Sequence, residues 1–177
     1  MIERVIEVKR VAKVVKGGKR MKISSTVVVG DGKGKVGVGH GKAQEVALAV
    51  RKATTRAQKE MAQISVSGDT IPHPAAGKYS SSKVLLRPAS SGTGLIACPQ
   101  VRAVLEAAGL KDVLTKAFGS RNPHNLAVAA LRALQSLRTI RDVAQVRNKS
   151  IGHFVERKHE EIASHAQEEP DRPEAVS

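Results

Sequence analysis

KGGKRMKISSTVVVGDGKGKVGVGHGK, Lys16 to Lys42, alternates basic glycine-rich turns with short valine-rich runs. Glycine serves turns and close backbone approach, whereas lysine and arginine meet phosphate, so the stretch predicts a strand scaffold presenting cationic loops. Upstream of Gly17-Gly18, the residues Ile6, Val8, Ala12 and Val14 share one face of an alternating pattern opposite Glu7, Lys9, Val11 and Lys13, which predicts a half-buried strand. Downstream, Met21, Ile23, Val27 and Val29 resume the alternation, with Arg20, Lys22, Ser24 and Thr26 expected to face water. Gly30-Asp31-Gly32-Lys33-Gly34 makes the next turn, and Lys35-Val36-Gly37-Val38-Gly39 follows as a strand with one face almost bare of side chains. Such a face lets another backbone come close.

From Ala43 the period changes to that of a helix. Ala43, Val46, Ala47, Val50, Ala53 or Thr54, Ala57 and Met61 form the expected apolar stripe, with Arg51, Lys52, Thr55, Arg56 and Lys59 clustered opposite. Residues 1–66 therefore read as three antiparallel strands with one helix on a face. Gly68-Asp69, Pro72, Pro74 and Gly77 punctuate a junction. Beyond it, residues 83–87 and Asp112 to Phe118 read as strands, and Pro99 to Ala108 as a helix ended by Gly109. Asn122 then caps a further helix, with Pro123 in its first position. The fold class is α+β, with a second, βαβ-type two-layer domain over 67–139. Residues 140–177 read as a polar tail, acidic and disordered at its end, with a short surface helix at 153–165.

The chain has 177 residues, 41% of them hydrophobic, and a formal charge of +14. Residues 1–60 hold 15 basic and 5 acidic side chains, whereas residues 150–177 hold 3 and 7, so the body is more basic than the total. This balance predicts polyanionic partners, nucleic acid first and acidic membrane surfaces second. Only Tyr79, Phe118 and Phe154 are aromatic, which favours structured RNA or DNA over a protein that grips single strands on many rings. One cysteine excludes an internal disulfide, and no run of eighteen apolar residues occurs, so a soluble intracellular protein with no membrane partner is expected. Lys16, Lys19 and Arg20 flank paired glycines at a hairpin tip, where backbone N–H groups can join the side chains in holding phosphate.

The same glycines bear on several enzyme motifs. Gly41-Lys42 is followed by Ala43, and Val36 stands where a Walker A loop needs its first glycine. Gly32, Gly34 and Gly37 satisfy G-x-G-x-x-G but lead into a strand rather than a helix. Gly92 to Ala97 fits a relaxed dinucleotide fingerprint, and a phosphate-ligand or dinucleotide-binding enzyme using that loop is the rival reading; the acid expected at the end of the next strand is missing. Cys98, His124 and Asn125 carry no triad spacing, and after His159-Glu160 the second histidine of a metalloprotease motif should fall at Ala163.

KGGKR at 16–20, VVVGDGKGKVGVGHGKA at 27–43, HP at 73–74, RPASSGTGLIA at 87–97 and VRAVLEAAGLKDVLTKAFGSRNP at 101–123 together resemble the bacterial small ribosomal subunit protein S-five family. The resemblance implies an N-terminal domain similar to the double-stranded-RNA-binding fold, bound with the second domain to folded small-subunit rRNA in the cytoplasm. It implies no catalysis and no cofactor or metal. The implied neighbours are ribosomal proteins S-four and S-eight and the mRNA in the channel through which it enters, with an effect on translational fidelity. The rRNA role is carried to Lys16, Gly17, Gly18, Lys19, Arg20, Lys33 and Lys35, and Lys22 and the helix cluster Arg51, Lys52, Arg56 and Lys59 are expected to join it. Gly92, Gly94 and Arg102 are expected to meet a neighbouring protein. Cys98-Pro99 stands where the family usually has two glycines.

Overall fold

The computed structural model describes residues 1–66 and 68–148, without the side chain of Ile140. The expectations for the acidic end and for a helix at 153–165 lie outside the described residues. Met1–Leu137 is one compact unit, and the chain after it is a second.

Three long strands open the first unit: β1 (Ile2–Val15), β2 (Gly18–Gly30) and β3 (Lys35–Ala43). After the helix α1 (Val46–Lys59), a two-residue strand β4 (Ala62–Gln63) pairs with Lys35 and Val36, so the sheet has four strands, in the order β1-β2-β3-β4, rather than three. The second sheet comprises β5 (Ala75–Tyr79), β6 (Ser82–Pro88), β7 (Leu95–Ile96) and β8 (Val113–Gly119), in the order β5-β6-β8-β7. Helix α2 (Pro99–Ala108) links β7 to β8, which pair in parallel and so form a βαβ unit; its first strand is β7 rather than the expected strand at 83–87, which lies in β6 and pairs antiparallel with β8. Helix α3 (Pro123–Gln135) follows.

The glycines of β3 explain how α1 is seated. Val27 and Val29 of β2 line one side of the first sheet, and on β3 the same side is Gly37, Gly39 and Gly41. A Cβ built at these positions would collide with the helix backbone at Ala57, Ala53 and Ala49 respectively. Bare strand and small helix residues let the two backbones touch, and Ala49, Ala53 and Ala57 are the buried stripe of α1. The expected stripe is therefore rotated. Val46 stays exposed, because a larger side chain on the contact line would hold the helix off the sheet.

The other side of the first sheet is covered too. Val28, Val36 and Val38 share one core with Val101, Val104 and Leu105 of α2 and Leu126 and Ala130 of α3. Thr26, expected to face water, is buried for this reason, and its hydroxyl bonds His40 Nδ1 at 3.3 Å. Val84 and Leu86 of β6 join the same core from the second sheet. The unit is thus layered as α1, first sheet, α2 with α3, second sheet.

The far half of the β1–β2 hairpin leaves the sheet altogether. β3 pairs with β2 from Ile23 onward, so residues 11–22 form a two-stranded ribbon beyond the sheet. Val14 is 73% exposed and Met21 55%, which corrects the expectation of a half-buried first strand: among the described residues no third layer reaches the ribbon. A bulge between Val5 and Glu7 also shifts the strand's register.

Helix ends follow local chemistry. Gly109 closes α2 in the left-handed region at φ 87°, and Asn122 Oδ1 accepts from His124 N at 3.2 Å. Asn122→Ala should cost about 1 kcal/mol, measurable by urea denaturation. In the second unit, α4 (Ile140–Val146) begins at a capping box in which Thr139 and Asp142 exchange bonds. Among the described residues no helix is long and apolar enough to cross a membrane.

Candidate nucleic-acid interface

Ribbon geometry gathers charge. Directly opposed residues of antiparallel strands share a face, and Lys13 stands opposite Arg20, Val11 opposite Lys22, and Ser24 opposite Lys42. Lys13, Arg20, Lys22 and Lys42 accordingly line one groove with Val11, Ala12 and Val15. No carboxylate lines it. Like charges placed opposite each other on a sheet repel, so the Lys13–Arg20 pair costs stability until an anion sits between them. The tip, Lys16 to Lys19, is exposed, with Gly18 at φ 121° closing the turn and nothing within 4 Å of a Cβ built at Gly17 or Gly18. Its backbone is therefore open to a ligand.

A second basic hollow lies on α1, where Leu48, Arg51, Lys52, Thr55, Arg56 and Lys59 meet. The expected helix cluster is brought together as read, with Arg56 held by Glu60 at 3.0 Å. It shares no residue with the ribbon groove. At the base of the ribbon, Gly41 faces α1 whereas Lys42 faces the other side, so these are two surfaces.

Lys33 and Lys35 are exposed but belong to neither surface. They sit at the far end of the 13-residue β2 from the tip, about 40 Å away at strand rise. Their turn has a structural task. Gly32 N and Gly34 N each donate at 3.1 Å to the last carbonyls of α2, Ala107 O and Ala108 O, and Asp31 Oδ1 accepts from Lys33 N and Lys35 N. Those two donors, Lys35 before Lys33, hold the Asp31 carboxyl below its ordinary pKa.

The Gly92 to Ala97 loop is unsuited to phosphate. Gly94 N, the amide that would face a phosphate, donates at 2.8 Å to Asp112 Oδ1, and Asp112 is buried. Thr93 N donates to Ser90 O, and the loop runs into β7 instead of opening a helix. A carboxylate beneath the loop repels the anion that the dinucleotide reading needs, which overturns that reading. Arg102 reaches back to the same loop, donating to Leu95 O at 3.2 Å, so Gly94 and Arg102 are brought together while Gly92 projects freely. Cys98 caps α2 and packs against the core, and His124 lies against His40 and Tyr79 instead.

Sequence reasoning missed Lys13 and Lys42 as members of the groove. Counting back from Gly17-Gly18 along a hairpin would have placed Lys13 opposite Arg20; Lys42 needed the β2–β3 register.

Two basic hollows stand on an α+β body, one on a projecting ribbon and one on a helix. Residues 1–65 match the family described as "Ribosomal protein S5, N-terminal domain", and residues 77–147 match "Ribosomal protein S5, C-terminal domain". The chain is 52% identical to the small ribosomal subunit protein uS5 of Lawsonia intracellularis over 148 residues, 84% of this chain and 91% of that protein. It is 48% identical to the uS5 of Syntrophobacter fumaroxidans over 151 residues, 85% and 91% of the two. The uS5 of Rubrobacter xylanophilus is 52% identical over 149 residues, 84% and 74%. The chain belongs to the ribosomal protein S5 family.

Proposed function

We infer that this chain, by its family a structural constituent of the small ribosomal subunit and not an enzyme, fixes folded rRNA by charge neutralisation and shape. The ribbon supplies the main contact through Lys16, Gly17, Gly18, Lys19, Arg20 and Lys22, joined by Lys13 and Lys42. Arg51, Lys52, Arg56 and Lys59 on α1 hold a second RNA segment, and Lys33 and Lys35 touch backbone at the far end of the sheet. The surface around Gly92, Gly94 and Arg102 serves ribosomal protein S-four, with S-eight as another neighbour, so the protein borders the channel through which mRNA enters and bears on fidelity. Residues 1–66 act as the RNA-binding part and 67–139 as the part that joins neighbours, in the bacterial cytoplasm.

The opposed Lys13–Arg20 pair on a carboxylate-free ribbon carries this reading. Affinity for a small-subunit rRNA fragment should fall steeply with salt. In the full chain, replacing Lys16, Lys19 and Arg20 by Ala should flatten the log–log slope by about 0.9 per lost phosphate contact. An unchanged slope would remove the tip from the interface.

A further inference from the structure

The second sheet has one covered side and one open side. Ser82, Val84 and Leu86 of β6 point to the helices and are buried. The alternate residues of β5, β6 and β8, together with Ile96 of β7, form the open side: Lys78; Lys83, Leu85 and Arg87; Leu114, Lys116 and Phe118. Neither α2 nor α3 lies on it.

Its composition is not that of a merely solvated face. Lys78, Lys83, Arg87 and Lys116 are all exposed, and no carboxylate occupies an outward position on any of these strands. None of the four forms an ion pair among the described residues. Lys78 stands directly opposite Lys83, and Lys83 directly opposite Phe118, so two like charges and an aromatic ring make one row across three strands. The next row sets Leu85 beside Lys116, and the next Arg87 beside Leu114. Phe118 is 48% exposed and Ile96 54%, leaving apolar surface in water between the cations. An unpaired Lys–Lys row calls for an anion, and an exposed ring between lysines calls for something flat as well.

We propose that the open face of the β5-β6-β8-β7 sheet is a separate platform for a single-stranded stretch of RNA, with a base stacked on Phe118 and phosphates on Lys78, Lys83 and Lys116. Helices behind a four-stranded sheet and cations around an exposed aromatic in front are what single-strand recognition uses. The charge is complementary to nucleic acid throughout the face. The proposal goes beyond the ribbon and α1 reading, since it uses neither surface, and it reverses the expectation drawn from the scarcity of aromatics: one ring, placed among cations, suffices for a stacking point.

The full chain carrying Lys16→Ala, Lys19→Ala and Arg20→Ala serves as background, and fluorescein-labelled oligouridine as probe, read by anisotropy. Adding Lys78→Gln, Lys83→Gln and Lys116→Gln should weaken binding by about tenfold or more at low salt. Phe118→Leu alone, which keeps the surface apolar, should weaken it by about fivefold. Thermal melts check that each variant is folded. If the triple Gln change moves affinity less than about twofold, the platform is refuted whatever the ribbon does, because the ribbon is judged by the salt slope on folded rRNA. A loss on removing the lysines with none for Phe118→Leu would leave a phosphate patch and overturn the stacking platform. No oligouridine binding, with Lys83 crosslinking to an acidic neighbouring protein in assembled subunits, would assign the face to a protein instead.

Discussion

Gly39→Val is expected to destabilise the protein by about 4 kcal/mol or more, among the largest effects available to a single substitution. A Cβ built at Gly39 lies 2.6 Å from Ala57 N and closer still to Ala53 O, and both are backbone atoms of α1. A flexible side chain could swing away, but a helix backbone moves only as a unit. To make room, α1 would have to lift off Gly37 and Gly41 as well, opening the small core of Val27, Val29, Ala53 and Ala57. Gly17→Ala is the matched control. Nothing lies within 4 Å of a Cβ there, and the residue lacks a positive φ, so stability should stay within about 0.5 kcal/mol. Urea denaturation followed by circular dichroism separates the two. A Gly39→Val chain that unfolds at the wild-type midpoint would show that the glycine row does not seat the helix.

That row was half legible. The bare face of Gly37, Gly39 and Gly41 is plain in the sequence, as is the demand for a close neighbour; that the neighbour is α1 requires the helix to pass directly over it. The run Val27-Val28-Val29 is the sign of a second covered side. Three consecutive buried valines mean a strand covered on both sides, whereas strict alternation had assigned Thr26 to water. The end of α2 and the start of α3 are readable in the sequence, because Gly109 and Asn122-Pro123 act through local backbone chemistry. Strands β5 and β7 are not, since they exist through partners distant in sequence: Ala75 to Tyr79 is poor in strand-forming residues and is held by β6, and Leu95–Ile96 pairs only with Val113 and Leu114.

The same division runs through the candidate interface. Cations next to a turn, or one helical turn apart, could be grouped from spacing alone, which covers Lys16 to Lys22 and the α1 cluster. Cations joined by register could not, so Lys42 was missed. Nearness in sequence groups Lys33 and Lys35 with the tip, although β2 holds them a strand's length apart.

Mild acid should weaken the fold through His40 and His124. His40 of β3 is bonded to Ser24 Oγ at 3.2 Å and Thr26 Oγ1 at 3.3 Å on β2, with its ring centroid 5.4 Å from that of His124 on α3. Tyr79 meets His124 edge-on, and Arg132 sits 4.7 Å from the Tyr79 ring centre. Burial holds His40 below its ordinary value of 6.5, and the charges of Lys42 and Arg56 act in the same direction. Burial likewise lowers His124, followed by the effects of His40 and Arg56, and His124 Nδ1 is buried without a hydrogen bond to the protein. A histidine whose folded pKa lies below its unfolded one takes up its proton more readily when unfolded, so stability rises with pH across the interval between the two values. Its contribution is complete above about 6.5 and is lost as pH falls from there through the lowered folded values. Unfolding in this window should therefore take up as many as two protons. Asp31 gives the same sign in a separate, more acid window, below its ordinary 3.8. Urea midpoints at about pH 7.5 and about pH 5.5 test the histidines: the wild-type chain should lose stability between them, and a His40→Asn, His124→Leu chain should lose much less. Asn can still bond Ser24 and Thr26, and Leu suits the apolar side of α3, so the variant removes the titration while keeping the layers together. Equal losses in the two chains would show that the pair between the first sheet and α3 does not govern acid stability.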